Sequence, residues 1–202
     1  PPRSTLFPYT TLFRSLDLFV LVLSITLFSA GNYKAQLSIP LNVPKEIKNN
    51  LEKVNVKYIN FNNEIKESYL IVDKKLIKEV KQIFDSLLVH KFPINKISPM
   101  ESYGWNDNKS MSDNNTSAFN YRFNNNSKNK LSQHAFGRAI DINPYNNPLF
   151  YKGVTKPKGA VYDISKPGTI TKNSYIVKIF KKFGWIWGGD FTKVKDFQHF
   201  EK

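Results

Sequence analysis

The stretch SQHAFGRAID, Ser132 to Asp141, decides how the rest of this chain is read. It sets His134 and Asp141 seven positions apart, with little between them but small or apolar side chains. Read as a strand from Gly137 to Asp141, it places Gly137, Ala139 and Asp141 on one face. Arg138 and Ile140 then lie on the other. Two minimal side chains leading up to a carboxylate leave room beside Asp141, and a turn through Gly137 brings the imidazole to it. A divalent cation held by a histidine nitrogen and an aspartate oxygen suits that room.

Two ligands are too few, and the C-terminal KDFQHFEK (Lys195 to Lys202) offers a third in His199. Two histidines and one carboxylate with an open fourth position make the donor set of a catalytic zinc centre. Asp196, three residues before His199, is the expected general base: it takes a proton from the attacking water and returns it to the leaving amine. The competing reading is that His134 and His199 are ordinary histidines and Asp141 a turn acid. The remaining histidine, His90, falls at the end of a helical pattern, where the helix dipole accounts for it.

At 202 residues the chain suits one domain with a sizeable core. A hydrophobic fraction of 41% argues for a globular protein rather than a disordered one. The sequence has no cysteine, which excludes disulfides and thiolate metal sites and leaves histidine and carboxylate as ligands. The net charge of +14 suggests either a polyanionic partner or a lysine-solvated surface. The lysines are scattered rather than striped with exposed aromatics, so nucleic acid is not expected as a partner.

The first 15 residues, with the near-duplicate pieces STLF and TTLF, resemble translated adapter DNA and are set apart from fold reasoning. Residues 16–31 read as a signal peptide. Leu18 to Phe28 is apolar and uncharged, the length of a signal core and short for a membrane span, and Ser29-Ala30-Gly31 supplies small residues for cleavage. Export to the periplasm or cell wall is therefore expected, with no membrane insertion after cleavage. A membrane anchor is the alternative. Residues 32–70 read as an N-terminal arm of weak periodicity, and 71–202 as the functional domain.

From Val72 to His90 apolar residues recur at helical spacing, predicting an amphipathic helix. FPINKISPM predicts a short strand, and the polar segment from Ser102 to Lys130 a loop. Asn143 to Asn173 predicts a long connection of the kind that forms lids or binding loops. SYIVKIFKKFG gives a short helix stopped by Gly184, and WIWGGDF a strand broken by a glycine pair. The order suggests an α+β domain, a small antiparallel sheet flanked by helices.

The pattern S-x-H-x-x-G-x-A-x-D, followed far downstream by an acid, two residues and a histidine, resembles the VanY/VanX-like zinc D-alanyl-D-alanine carboxypeptidases. Their relatives, the L-alanyl-D-glutamate endopeptidases, share it. GWIWGGDF and NNTSAFNYR look similar too, and the likeness covers roughly Phe92 to Lys202. The resemblance implies a hedgehog-like zinc cleft on the sheet, one zinc ion held by His134, Asp141 and His199, and Asp196 as acid/base. It also implies that Arg122 steadies a substrate carbonyl or carboxylate, and that Ser132 hydrogen-bonds near the site. The implied substrate is a peptidoglycan stem peptide, cut by a monomer.

An arginine near the metal can stabilise a developing oxyanion; the alternative is a surface salt bridge. Of Trp185 and Trp187 at most one is expected to line the cleft, and Trp187 is taken as that substrate contact. Gly188 and Gly189 allow close backbone approach to substrate or metal. Glu201 is placed to orient a ligand from behind, and is the alternative candidate for the base. Asp190 is expected to brace its turn.

Overall fold

A computed structural model describes residues 37–124 and 127–202. The adapter-like leader, the signal-like run and the first residues of the expected arm lie outside the described residues. Among the described residues, no helix is long and apolar enough to cross a membrane.

After a single turn of helix α1 (Lys45–Lys48), the chain forms two nine-residue strands, β1 (Leu51–Ile59) and β2 (Ile65–Asp73), paired antiparallel from Leu51↔Asp73 to Ile59↔Ile65. Asn60 sets the turn: its side-chain oxygen accepts from the backbone N–H of Asn62 and of Glu64, at 3.0 and 2.9 Å. Val54, Val56 and Tyr58 on β1 and Leu70 and Val72 on β2 are buried in the main core. Ile71 turns the other way, into a smaller cluster with Val43, Leu51 and Phe119. Residues 51–70, expected in a weakly patterned arm, thus form β1, its turn and most of β2. Lys and Asn at outward positions, together with two buried faces, hide the period-2 signal.

Helix α2 (Ile77–Val89) starts later than the helical spacing predicts. Val72 and Asp73 still belong to β2, and Asp73 ends the strand by accepting from Lys75 N–H at 3.0 Å, capping a 3-10 turn. Val80, Ile83, Phe84 and Leu87 form its buried stripe. His90 lies at its C-terminal cap, with Nδ1 2.9 Å from Ser86 O and its ring stacked on Tyr175.

The expected short strand is β3 (Lys96–Ile97), paired parallel with β4 (Asn115–Thr116). Between them sits α3 (Asp107–Ser112), capped by Asn106. The segment expected as loop therefore carries a helix, β4 and the strands β5 (Phe123–Asn124) and β6 (Ser127–Leu131).

Then come β7 (Ala139–Asp141), the hairpin β8 (Leu149–Tyr151) and β9 (Val154–Lys156), helix α4 (Tyr175–Lys182), β10 (Ile186–Trp187), β11 (Lys195–Asp196) and β12 (His199–Glu201). Two three-stranded sheets follow from these, ordered β10-β12-β7 and β11-β8-β9, all antiparallel. Ile140, Phe200 and Trp187 pack against Ile176, Val177 and Phe180 of α4 and against α2, with the Phe180 and Phe200 rings stacked at 4.0 Å. Fully burying a phenylalanine is worth about 1.5–3 kcal/mol. The core therefore anchors the strand centres and leaves their polar residues on the site side. The architecture is compatible with the expected α+β class.

Two segments differ from expectation. The strand begins at Ala139 rather than Gly137, because Gln133–Phe136 is a 3-10 turn that Gly137 closes with φ +68°. A Cβ at Gly137 would lie 2.6 Å from Asp73 N, whose N–H donates to Gly137 O at 3.0 Å. The turn is thus pinned onto the end of β2, and only glycine permits the approach. The long connection after Asn143 contains the β8–β9 hairpin, turned on Lys152 and Gly153 with positive φ at both (48° and 76°). The buried side chains of Asn143 and Asn147 hold the rest of it, Asn143 by donating to Pro93 O and Gly168 O and Asn147 by accepting from Ile170 N–H.

Candidate metal centre and active-site cleft

The register of the β10-β12-β7 sheet assembles the site. His199 stands directly opposite Asp141, so strands from two distant parts of the chain place imidazole and carboxylate side by side. His134 arrives from the 3-10 turn. Ser132 caps that turn by accepting from His134 N–H at 3.3 Å, and its own N–H donates to Arg122 O at 3.0 Å. Ser132 thus positions the turn that carries His134, while also lining the cleft.

The three side chains converge. His134 Nε2 is 3.1 Å from Asp141 Oδ2 and 3.2 Å from His199 Nδ1, and His199 Nδ1 is 2.9 Å from Asp141 Oδ1. All three residues are buried, His134 at 2% exposure. The far nitrogen of each ring has its own acceptor. His134 Nδ1 meets the carbonyl of Ala118, which only accepts, so Nδ1 carries a proton and Nε2 faces the centre, where its lone pair is available to a cation. His199 Nε2 lies 3.0 Å from Glu201 Oε2, which likewise leaves Nδ1 for the centre. A carbonyl or carboxylate behind each ligating imidazole is how metal-binding histidines are oriented.

The donor set therefore fits a divalent cation of borderline character, and His134, Asp141 and His199 are the residues that would hold it. Without a cation the same groups lean on one another. Burial opposes the charge of Asp141, but His134 and then His199 outweigh it and hold the carboxyl far below the usual range. Burial also opposes a charged His199, yet hydrogen bonds to Asp141 and Glu201 push it up to about 10. The hydrogen bond from His199 lowers Glu201 in turn.

Glu201→Gln is accordingly expected to weaken metal binding by about 10–100-fold, because the amide no longer offers His199 an anionic acceptor. Competition against a chromogenic chelator reads this directly. Unchanged affinity would mean that Glu201 does not orient His199.

Asp196 lies on β11, and Gly188 brings the following chain close to it. A Cβ at Gly188 would sit 2.4 Å from Asp196 O and 3.1 Å from His199 Cβ. The glycine expected to admit substrate or metal instead admits the backbone of the strand that carries the acid. Gly189 packs under the Trp187 ring. Asp196 Oδ1 is buried with no hydrogen-bond partner among the described residues, and burial pushes the carboxyl up to about 6. A half-buried carboxyl at the edge of a cleft, one of whose oxygens lacks a hydrogen-bond partner, is poised to accept a proton near neutral pH.

The cleft holds about 400 Å³ and is lined by His134, His199, Asp196 and Glu201, with Arg122 and Phe191 on its walls. Arg122 is about a quarter exposed. Its Nε lies 3.2 Å from Asp107 Oδ2 without a well-aligned hydrogen bond, and Asp107 also accepts from Asn120 Nδ2. Asp107 thus restrains Arg122, a role for which its sequence context gave no signal.

Trp187, expected to contact substrate, does not line the cleft. It is 2% exposed, donates from Nε1 to Phe197 O at 3.0 Å and packs in the main core. Trp185 is equally buried and donates to Glu79. Two residues apart, the two tryptophans share the buried face of the strand, while Ile186 on the other face is exposed. Asp190 braces its turn through an ion pair with Lys181 at 2.6 Å, as expected. The Ala118 carbonyl was invisible to motif reading because a backbone acceptor leaves no mark on residue identity.

No curated protein and no solved structure matches the chain. The segment that supplies all three donors, Asp196 and Glu201 does match a family model: residues 125–202 fit that of the D-alanyl-D-alanine carboxypeptidases, a family of peptidases.

Proposed function

We propose that this protein is an exported zinc metallopeptidase that hydrolyses amide bonds in the stem peptides of bacterial peptidoglycan, in the manner of a D-alanyl-D-alanine carboxypeptidase. One observation carries the reading: two imidazole nitrogens and a carboxylate meet within 3.2 Å of one another at a cleft that also holds Asp196, whose Oδ1 is buried without a hydrogen-bond partner among the described residues. A bound zinc ion would supply Lewis acidity and make water a better nucleophile at neutral pH.

The chain's own residues do the rest. Asp196 accepts a proton from the attacking water and gives it to the leaving amine. Arg122, held by Asp107, faces the cleft with a positive charge that favours the developing oxyanion or a substrate carboxylate. Ser132 keeps the His134 turn in place, and Glu201 keeps the His199 ring in its working tautomer. The protein is proposed to act as a monomer, with no nucleic-acid partner.

The test is hydrolysis of purified muropeptides read by mass spectrometry, with zinc and after chelation. Loss of a terminal D-alanine only in the zinc-loaded sample is expected. A cut between L-alanine and D-glutamate would instead make the protein an endopeptidase of the same kind. A zinc-loaded protein that leaves every muropeptide intact would reduce it to a wall-binding module.

A further inference from the structure

One wall of the cleft is a single face of the β11-β8-β9 sheet. Directly paired residues in an antiparallel sheet project to the same side, as do residues two apart on one strand. The register runs Asp196↔Leu149↔Lys156, with Tyr151↔Val154 beside it. All five of these residues accordingly line the cleft. On this face only Asp196 and Lys156 carry charge.

Arg122 has Asp107 beside it, whereas Lys156, half-buried, has no carboxylate partner among the described residues. Lys152, at the exposed hairpin tip, also borders the cleft but lies over the Tyr151 ring. Strands are spaced by about 4.8 Å, so two spacings set the Lys156 backbone roughly 10 Å from that of Asp196. An extended peptide covers that distance in about three residues.

We propose that Lys156 is a specificity-determining residue that binds a carboxylate of the substrate, so that the preferred substrate is a peptide with a free carboxylate within about three residues of the scissile amide. This rests on the peptidase reading above. Leu149 and Tyr151, both half-buried, flank the pairing with apolar surface. The carboxylate has two sources, the chain terminus of the stem peptide or an acidic residue within it.

The experiment compares three synthetic stem peptides: free acid, terminally amidated, and amidated at the internal acidic residue. Each is given to the zinc-loaded wild type and to Lys156→Gln, Lys156→Arg and Lys158→Gln. Lys158 is an exposed neighbour outside the cleft lining, and serves as the charge control.

The wild type is expected to lose about fivefold in kcat/KM, mainly through KM, on one amidated peptide, and which peptide that is identifies the source. Lys156→Gln loses the same factor on the free acid and becomes indifferent to that amidation. Lys156→Arg and Lys158→Gln keep the discrimination. Cleavage with undiminished discrimination in Lys156→Gln overturns the carboxylate subsite alone. Failure of the wild type to cut any of the peptides overturns the peptidase reading beneath it.

Discussion

Asp196→Asn is expected to lower kcat by about 10²–10⁴-fold while metal content stays at the wild-type level. The substitution keeps shape and burial and removes only the ability to gain and lose a proton. Asp196 is none of the three converging donors, so the cation site should survive.

Stability should not fall with activity. Burial raises the folded carboxyl to about 6, above its unfolded value. A raised carboxyl binds protons more tightly in the folded state, so its ionisation costs stability as pH climbs through that window, and at pH 7 the cost is present in full. The neutral amide removes it, and the Tm of the metal-free variant at pH 7 should equal or exceed that of the wild type. Lost turnover with retained metal and undiminished Tm is the signature of a group held in a strained protonation state for chemistry. An Asn variant with wild-type kcat would move the acid/base role elsewhere, first to Glu201, which also lines the cleft.

What the sequence made legible were the groups whose chemistry is written in residue type. His134, Asp141, His199 and Asp196 are polar residues set in apolar surroundings, and the strand pairing that brings His199 opposite Asp141 needs only two short hydrophobic strands. Helix α4 was legible because a narrow apolar stripe runs unbroken to Gly184.

What stayed hidden was set by tertiary context. The β1–β2 hairpin buries residues on both faces towards its end, where Leu70, Ile71, Val72 and Asp73 are all buried, so neither alternation nor helical spacing describes it. That same run of apolar residues led the helix prediction to begin too early. From sequence, Trp187 is taken as a substrate contact because one of the two tryptophans is expected at the cleft. Its burial depends on Phe197 and α4 lying over it, and no local pattern encodes that. The hairpin bearing Lys156 was lost inside a long polar connection, since three-residue strands carry too little periodicity to register.

His134→Ala is expected to reduce bound metal from about one ion per chain to near none after dialysis against a chelator, and activity with it. His134 reaches the centre from a rigid turn, with its other nitrogen committed to Ala118 O, and no other histidine is near enough to replace it. Removing it leaves one imidazole and one carboxylate, too few to hold zinc against competition. Elemental analysis measures the loss, and His90→Ala, at the exposed end of α2, should keep its metal.

A second readout is thermal. Zinc at a hundred times its Kd should stabilise the wild type by about 2.7 kcal/mol, roughly 5–10 °C in Tm for a domain of this size, and leave His134→Ala unmoved. The comparison matters because the cluster is also self-sufficient without a cation. His199, charged and held between Asp141 and Glu201, makes a hydrogen-bonded network that satisfies every member. A purely structural network would lose stability on mutation, yet show no metal stoichiometry and no zinc-dependent rise in Tm in the wild type. A metal centre shows both, and loses both with one imidazole.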